Sequence, residues 1–278
     1  MDTQTKVNEG GEGLTVHCRK CGKPIRLSCP PRYGLRPPAL TCSACAEVEQ
    51  RQREDEACQA AERARAEALA AVRASLPAAM ESCGVPLRWR DAAFDSCLDV
   101  PATLQKAVAE WAEHPAGMLY LFGAPGVGKT YLAAASLRHV LEAGLLSPVA
   151  CRFIGEREFL SEIKATFGNS NTPTSPRSML ANSPYRVALL LYDDLGASRL
   201  TDWGRGEISG LIEYRHANGL PTIITSNLSP DELAAAVDAR ILSRIAESRS
   251  MLEFPSRDLR VSGSLRPAVA LADQRQLW

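Results

Sequence analysis

The chain has no apolar run approaching the roughly 20 residues that a membrane-spanning helix needs, which excludes a helical integral membrane protein. It has no net charge, with 32 basic and 32 acidic side chains, so no global field draws it to nucleic acid or to a membrane. Any such binding rests on local patches. The first residues, MDTQTKVNEGGEG, lack the basic and apolar segments of a signal peptide. No internal repeat is apparent. The nine cysteines form an odd set and favour a reducing, cytoplasmic setting with free or metal-bound thiols over a disulfide scaffold. Two absences are local. Residues 14–46 contain no Asp or Glu, and residues 47–76 contain no Gly or Pro. With 278 residues, 45% of them hydrophobic, the chain can hold one full-sized core and a smaller unit.

What is present is clearest at 119–135, LYLFGAPGVGKTYLAAA. The apolar stretch Met118–Phe122 reads as a strand and Tyr131–Glu142 as a helix, with Gly123, Ala124, Pro125, Gly126, Val127, Gly128, Lys129 and Thr130 between them. Phosphates are costly to desolvate. A glycine-rich turn meets that cost by closing backbone N–H groups around them at the positive end of a helix. Lys129 then reaches the β- and γ-phosphates, and the Thr130 hydroxyl ligates Mg²⁺. This pattern predicts ATP binding.

Downstream, RVALLLYDDLG at Arg186–Gly196 reads as a strand buried on both faces that ends in two carboxylates. Ligands of open α/β sheets sit at such carboxyl ends. Asp193 is expected to hold Mg²⁺ and Asp194 to act as general base toward the attacking water. The next strand, Leu220–Asn227, ends in Thr225-Ser226-Asn227. Asn227 either touches the γ-phosphate and its water or caps a helix at Pro230–Ala236. Arg240 and Arg244, four apart in DARILSRI, form either a solvated basic face or a γ-phosphate sensor for a neighbouring subunit.

Cys18-x-x-Cys21 and Cys42-x-x-Cys45 present two knuckles with the spacing of a tetrahedral Zn²⁺ site. The Pro-rich segment between them cannot build a core, so metal is expected to supply its folding energy. His17 and Cys29 lie nearby as substitute ligands, while Cys58, Cys83, Cys97 and Cys151 read as packing residues. Arg19, Lys20, Lys23, Arg26, Arg32 and Arg36 give this module six positive charges, suited to phosphate contact or to balancing the thiolates. Tyr33 is the lone aromatic surface between the knuckles. The Ala-rich stretch that stops at Pro77 predicts one long helix with Leu69, Val72 and Leu76 on one side. From about Met80 onward, apolar runs alternate with helical stretches, as in βαβ units around a parallel sheet. Residues 168–178, GNSNTPTSPRS, form a breaker-rich loop.

Between Cys83 and Arg260 these pieces, in this order, resemble the DnaC/IstB-like branch of the AAA+ ATPases, which comprises helicase loaders and transposition helpers. GVPLRWRDAAF looks like the lead-in segment, GAPGVGKTYLAAA like Walker A, LLLYDDLG like Walker B, and LIEYRHANGLPTIITSNLSPDEL like the sensor 1 region. The resemblance implies an α/β P-loop core with sheet order 5-1-4-3-2 and a reduced or absent lid. It assigns Asn227 to sensor 1, Arg244 to the arginine finger with Arg240 as alternative, and Arg260 to a sensor 2-like position. It also implies an ATP-dependent homo-oligomer that places a replicative hexameric helicase on single-stranded DNA, with Lys164, Arg177 and Arg186 as candidate strand contacts. The N-terminal ribbon would dock the partner, with DNA contact as the alternative. A transposase in place of the helicase is the second reading, and a nucleotide-gated adaptor with little hydrolysis is the third, kept open by Asp194 standing where Glu is usual. The implied layout is a disordered stretch at 1–13, a zinc ribbon at 14–46, a helical linker at 47–79, the ATPase core at 80–262 and a tail at 263–278.

Overall fold

The computed structural model describes residues 15–26, 40–96, 100–167, 183–248 and 250–255. The stretch 1–13, Cys29, Arg32, Tyr33, Arg36, Cys97, the 168–178 loop with Arg177, Arg260 and the tail 263–278 lie outside them, as do the residues on which a lid would depend. The chain divides into two compact units, Met1–Ala68 and Leu69–Trp278.

In the first unit, β1 (Thr15–His17) and β2 (Pro24–Arg26) pair antiparallel, with Val16 opposite Ile25. The helix α1 spans Ser43–Ala74 and buries no side chain. Its alternating Glu, Arg and Ala favour helix by propensity rather than by an apolar face. It starts earlier than 47, so Cys45 lies in its first turn and the ribbon boundary expected at 46 falls inside the helix. Cys58 is exposed on it, which corrects the reading of that thiol as a packing residue.

The second unit takes the end of α1, with Leu69 and Val72 half-buried. Pro77 does not simply end the long helix. It sits in the first turn of α2 (Leu76–Ser82), where an amide N–H would have no intrahelical partner anyway. There follow α3 (Ala102–Glu113), β3 (Met118–Phe122), α4 (Lys129–Glu142), β4 (Cys151–Gly155), α5 (Glu156–Phe167), β5 (Leu189–Leu195), α6 (Asp202–Ala217), β6 (Thr222–Ser226), α7 (Pro230–Ala236), α8 (Ala239–Glu247) and β7 (Ser250–Glu253). The sheet order is β4-β5-β6-β3-β7, all pairs parallel. Counted from β3 as the first core strand, this is the 5-1-4-3-2 order that the resemblance implies.

Alternate strand residues serve two cores. Leu119, Leu121, Leu191 and Ile223 pack with α2 and α4 on one face. Met118, Tyr120, Leu190 and Ile224 pack with α5, α6 and α8 on the other. Both faces of β3 and β6 are therefore covered, which is why these strands read as continuous apolar runs. Cys83 and Cys151 are buried in the first core, as expected of packing thiols. Arg215, fully buried, fastens the strand entrances. Its guanidinium donates to Pro184 O, Val187 O and Pro221 O and to Thr222 Oγ1, at 2.6–2.9 Å. Burial pulls its pKa down to about 9, and among the described residues its hydrogen-bond acceptors are all neutral. Among the described residues no helix is long and apolar enough to cross a membrane.

Candidate nucleotide site and metal centre

The loop from β3 to α4 turns on positions that only glycine fits easily. Gly123 has φ +139°, and a Cβ there would meet Phe254 O at 2.6 Å. Gly128, the N-cap of α4, has φ +98°. The turn delivers Lys129, 5% exposed, beneath the loop. Its Nζ donates to Gly123 O at 2.7 Å, Ala124 O at 2.8 Å and Asn227 Oδ1 at 2.9 Å. One residue on, Thr130 Oγ1 donates to Asp193 Oδ1 at 2.8 Å.

The strand β5 carries both aspartates, as expected, and runs one residue past them to Leu195. Asp193 is buried and accepts a second hydroxyl from Thr225 at 2.6 Å. Thr225 Oγ1 in turn accepts the Asp194 N–H at 3.0 Å. Burial pushes the Asp193 carboxyl up from its usual range and the Asp194 charge adds to this, while the Thr225 and Thr130 hydroxyls and the Arg88 charge oppose it. A buried carboxylate that carries two threonine hydroxyls and, among the described residues, no ion-paired cation is an oxygen-donor set that suits Mg²⁺. Asp194 is exposed and has φ +58°, the one non-glycine left-handed residue among those described.

Asn227 had two open roles, and the cap role goes to another residue. Ser229 caps α7, its hydroxyl accepting the Glu232 N–H while Glu232 Oε2 accepts the Ser229 N–H at 2.8 Å. Asn227 is instead exposed at the end of β6 and joined to Lys129.

These groups border a cleft of about 180 Å³ lined by Pro125, Gly126, Gly128, Lys129, Thr130, Asp194 and Asn227, and also by Trp89 and Tyr131. The two aromatic rings meet edge to face, with centroids 6.0 Å apart, and the Arg88 guanidinium lies 4.8 Å from the Trp89 ring centroid. The Trp89 Nε1–H is buried and has no acceptor among the described residues. Arg88 and Trp89 belong to the lead-in segment GVPLRWRDAAF, where the sequence alone gives them no role. Their pattern carries no chemistry until the fold sets them over the loop. A larger cavity, about 230 Å³, lies by Gly117 and Leu220 at the opposite ends of the strands, away from every group of this constellation.

Arg240 and Arg244 are not part of the cleft. Both are exposed on α8, where Arg240 pairs with Asp238 at 2.9 Å and Arg244 with Glu247 at 2.9 Å. Lys164 and Arg186 are exposed as well, the Lys164 ammonium lying 5.2 Å from the Trp203 ring centroid.

In the first unit the four sulfurs of Cys18, Cys21, Cys42 and Cys45 lie within 4.8 Å of one another. Lys20 N–H and Cys42 N–H point at Cys18 Sγ at 3.4 and 3.3 Å. Amide donors from Cys21, Cys42 and Lys20 hold the Cys18 thiol down to about 6. Hydrogen bonding to its neighbours pushes Cys45 up to about 12. Four sulfurs converging at this mutual distance, in two Cys-x-x-Cys pairs, fit a tetrahedral cation such as Zn²⁺. His17, exposed on β1, is not among the four. Lys20 and Arg19 pair with Glu49 of α1 at 2.6 and 3.6 Å, which ties part of the basic charge to the helix.

Sheet order, phosphate loop and aspartate pair together define an AAA+ P-loop nucleotide-binding protein. A family model described as IstB-like ATP binding protein matches residues 79–249, and the chain belongs to that family. It is 35% identical over 116 residues to the replicative helicase loader DnaI of Bacillus subtilis, covering 41% of this chain and 34% of that one. It is 27% identical over 129 residues to the replicative helicase loader DnaC of Escherichia coli, covering 46% and 50%. A crystal structure of the DnaC helicase loader superposes with a TM-score of 0.52 at 27% identity, over 61% of this chain and 100% of that one. The sequence matches span between a third and a half of these relatives' lengths.

Proposed function

We propose that the chain is an ATPase that loads a replicative hexameric helicase onto single-stranded DNA. The observation that carries this reading is the joined pair of contacts Lys129–Asn227 and Thr130–Asp193 beneath the cleft, in a chain whose relatives are named helicase loaders. Lys129 and the loop amides bind the phosphates, while Thr130 and Asp193 would hold Mg²⁺, which screens phosphate charge during transfer. Asp194, at the cleft mouth, accepts a proton from the attacking water, and Asn227 orients that water. Arg244 serves the site of a neighbouring copy, since α8 presents it to solvent rather than to the cleft. The family description supports a second reading, an IstB-like helper that directs a transposase to target DNA.

Native mass spectrometry of the chain with the hexameric helicase of its host, with and without ATP·Mg²⁺, separates the two. An ATP-dependent complex of defined stoichiometry is expected. Self-assembly that ignores the helicase overturns the loader reading in favour of the helper.

The ribbon is proposed as the docking module, held by zinc on Cys18, Cys21, Cys42 and Cys45. Structural zinc in small modules supplies about 10–16 kcal/mol of apparent folding energy, far more than a two-stranded ribbon gains by itself. Chelation is therefore expected to release one zinc per chain and abolish amide protection in 15–26. The melting of the ATPase unit and its ATP affinity should stay unchanged. Retention of ribbon protection without metal would refute the zinc assignment.

A further inference from the structure

Glu156 is the first residue of α5, directly after β4, and it is 2% exposed. A buried carboxylate must be matched by donors. Among the described residues its donors come from one short turn, the one that follows Asp194. Glu156 Oε2 accepts the Gly196 N–H at 2.5 Å, and Oε1 accepts the Ser198 N–H at 3.2 Å and the Ser198 hydroxyl at 2.5 Å.

The same turn is anchored from its other side by β6. Thr225 Oγ1 accepts the Asp194 N–H at 3.0 Å, and Ser226 Oγ donates to Leu195 O at 2.6 Å. Ala197 N–H closes the turn on Asp194 O at 3.1 Å. Asp194 itself sits at φ +58°, a left-handed conformation uncommon for a non-glycine residue although Asp adopts it more readily than most. Neutral hydroxyls of β6 hold one side of the turn, and one buried carboxylate from the neighbouring strand end holds the other.

We propose that Glu156 is a positioning residue for ATP hydrolysis, fixing the 196–198 turn so that the Asp194 carboxylate stays aimed into the nucleotide cleft. The inference rests on the reading of Asp194 as the base. Glu156 touches neither loop nor phosphate, so it governs turnover and leaves nucleotide binding alone. A misaimed base loses rate without losing affinity, because aim matters only where the proton moves.

Glu156→Gln keeps the volume and one acceptor but turns an NH₂ group toward amide donors. In the full chain, assembled at high concentration with ATP·Mg²⁺, this variant is expected to lower kcat about 10–100-fold while KM and nucleotide Kd stay within about twofold. Hydrogen exchange of the Gly196 and Ser198 amides should rise. The residual single-turnover rate of Asp194→Asn should fall no further when Glu156→Gln is added, because the two act as a unit. Should Glu156→Gln fold poorly, Ser198→Ala removes one of the clamp's three hydrogen bonds, the hydroxyl on Oε1, and should lower kcat about 3–10-fold with the same Kd. An inactive Asp194→Asn beside a Glu156→Gln of wild-type kcat overturns the positioning role alone. So does a loss shared equally by kcat and Kd. An Asp194→Asn chain with wild-type turnover removes the base reading and the positioning role with it.

Discussion

Lys129→Ala is expected to bind ATP·Mg²⁺ about a thousandfold more weakly than the parent chain, with little change in melting temperature. The Nζ lies 2.7–2.9 Å from three acceptors in a setting that is 5% exposed, so the ammonium is aimed and shielded from bulk water. Unit charges about 4 Å apart in such partly buried surroundings interact by about 4 kcal/mol, which is about three decades of affinity. Of the acceptors it leaves, Asn227 borders the cleft, and Gly123 and Ala124 are only half-buried, so water can replace the ammonium and stability is affected less than binding. Lys129→Arg is expected to bind poorly too. A planar guanidinium cannot direct its donors at three converging oxygens in the space an ammonium fills. Isothermal titration with a non-hydrolysable ATP analogue measures both variants. An affinity within threefold of the parent for Lys129→Ala would mean that the loop does not hold the phosphates.

The parts of the site that could be read from residue order are those where chemistry and local structure share one short segment. The phosphate loop, the apolar strand into Asp193 and Asp194, and the paired Cys-x-x-Cys knuckles all have this property. Asn227 was half legible, because both of its readings were local. Ser229, two residues on, decided between them by taking the cap. Glu156 was invisible. Its partners Gly196 and Ser198 lie some forty residues away, and a glutamate opening a charged helix has no pattern to mark its burial. Arg215 was hidden for the same reason, since its acceptors are carbonyls of loops that meet only in the folded sheet. The edge strand β7 is four residues long with alternating half-burial, too weak a signal to stand out from the sequence around it. The early start of α1 was masked by the metal motif, because Cys45 reads as a knuckle residue before it reads as a helical one.

Arg244→Ala is expected to leave nucleotide affinity unchanged and to lower assembled turnover about 10³-fold, as loss of an arginine acting across an interface does. Ile241 and Ile245 anchor α8 in the core, and Arg240 and Arg244 flank that stripe on the exposed side. The two differ in how firmly they are held. Arg240 is fastened to the helix-capping Asp238 through Nε at 3.1 Å and Nη2 at 2.9 Å, so moving it disturbs the cap. Arg244 has one contact to Glu247, which is itself half-exposed and shared with His216 at 2.9 Å. Exposed pairs of that kind contribute about 0–1 kcal/mol, so a phosphate across an interface can take the guanidinium readily. Arg240→Ala is accordingly expected to retain most of its turnover. The decisive measurement is complementation. Arg244→Ala chains keep Asp194, and Asp194→Asn chains keep Arg244, so an equimolar mixture should recover roughly a quarter of the parent rate, because heterologous interfaces form in every pairing. A mixture no more active than its components shows that the arginine acts within its own chain or not at all.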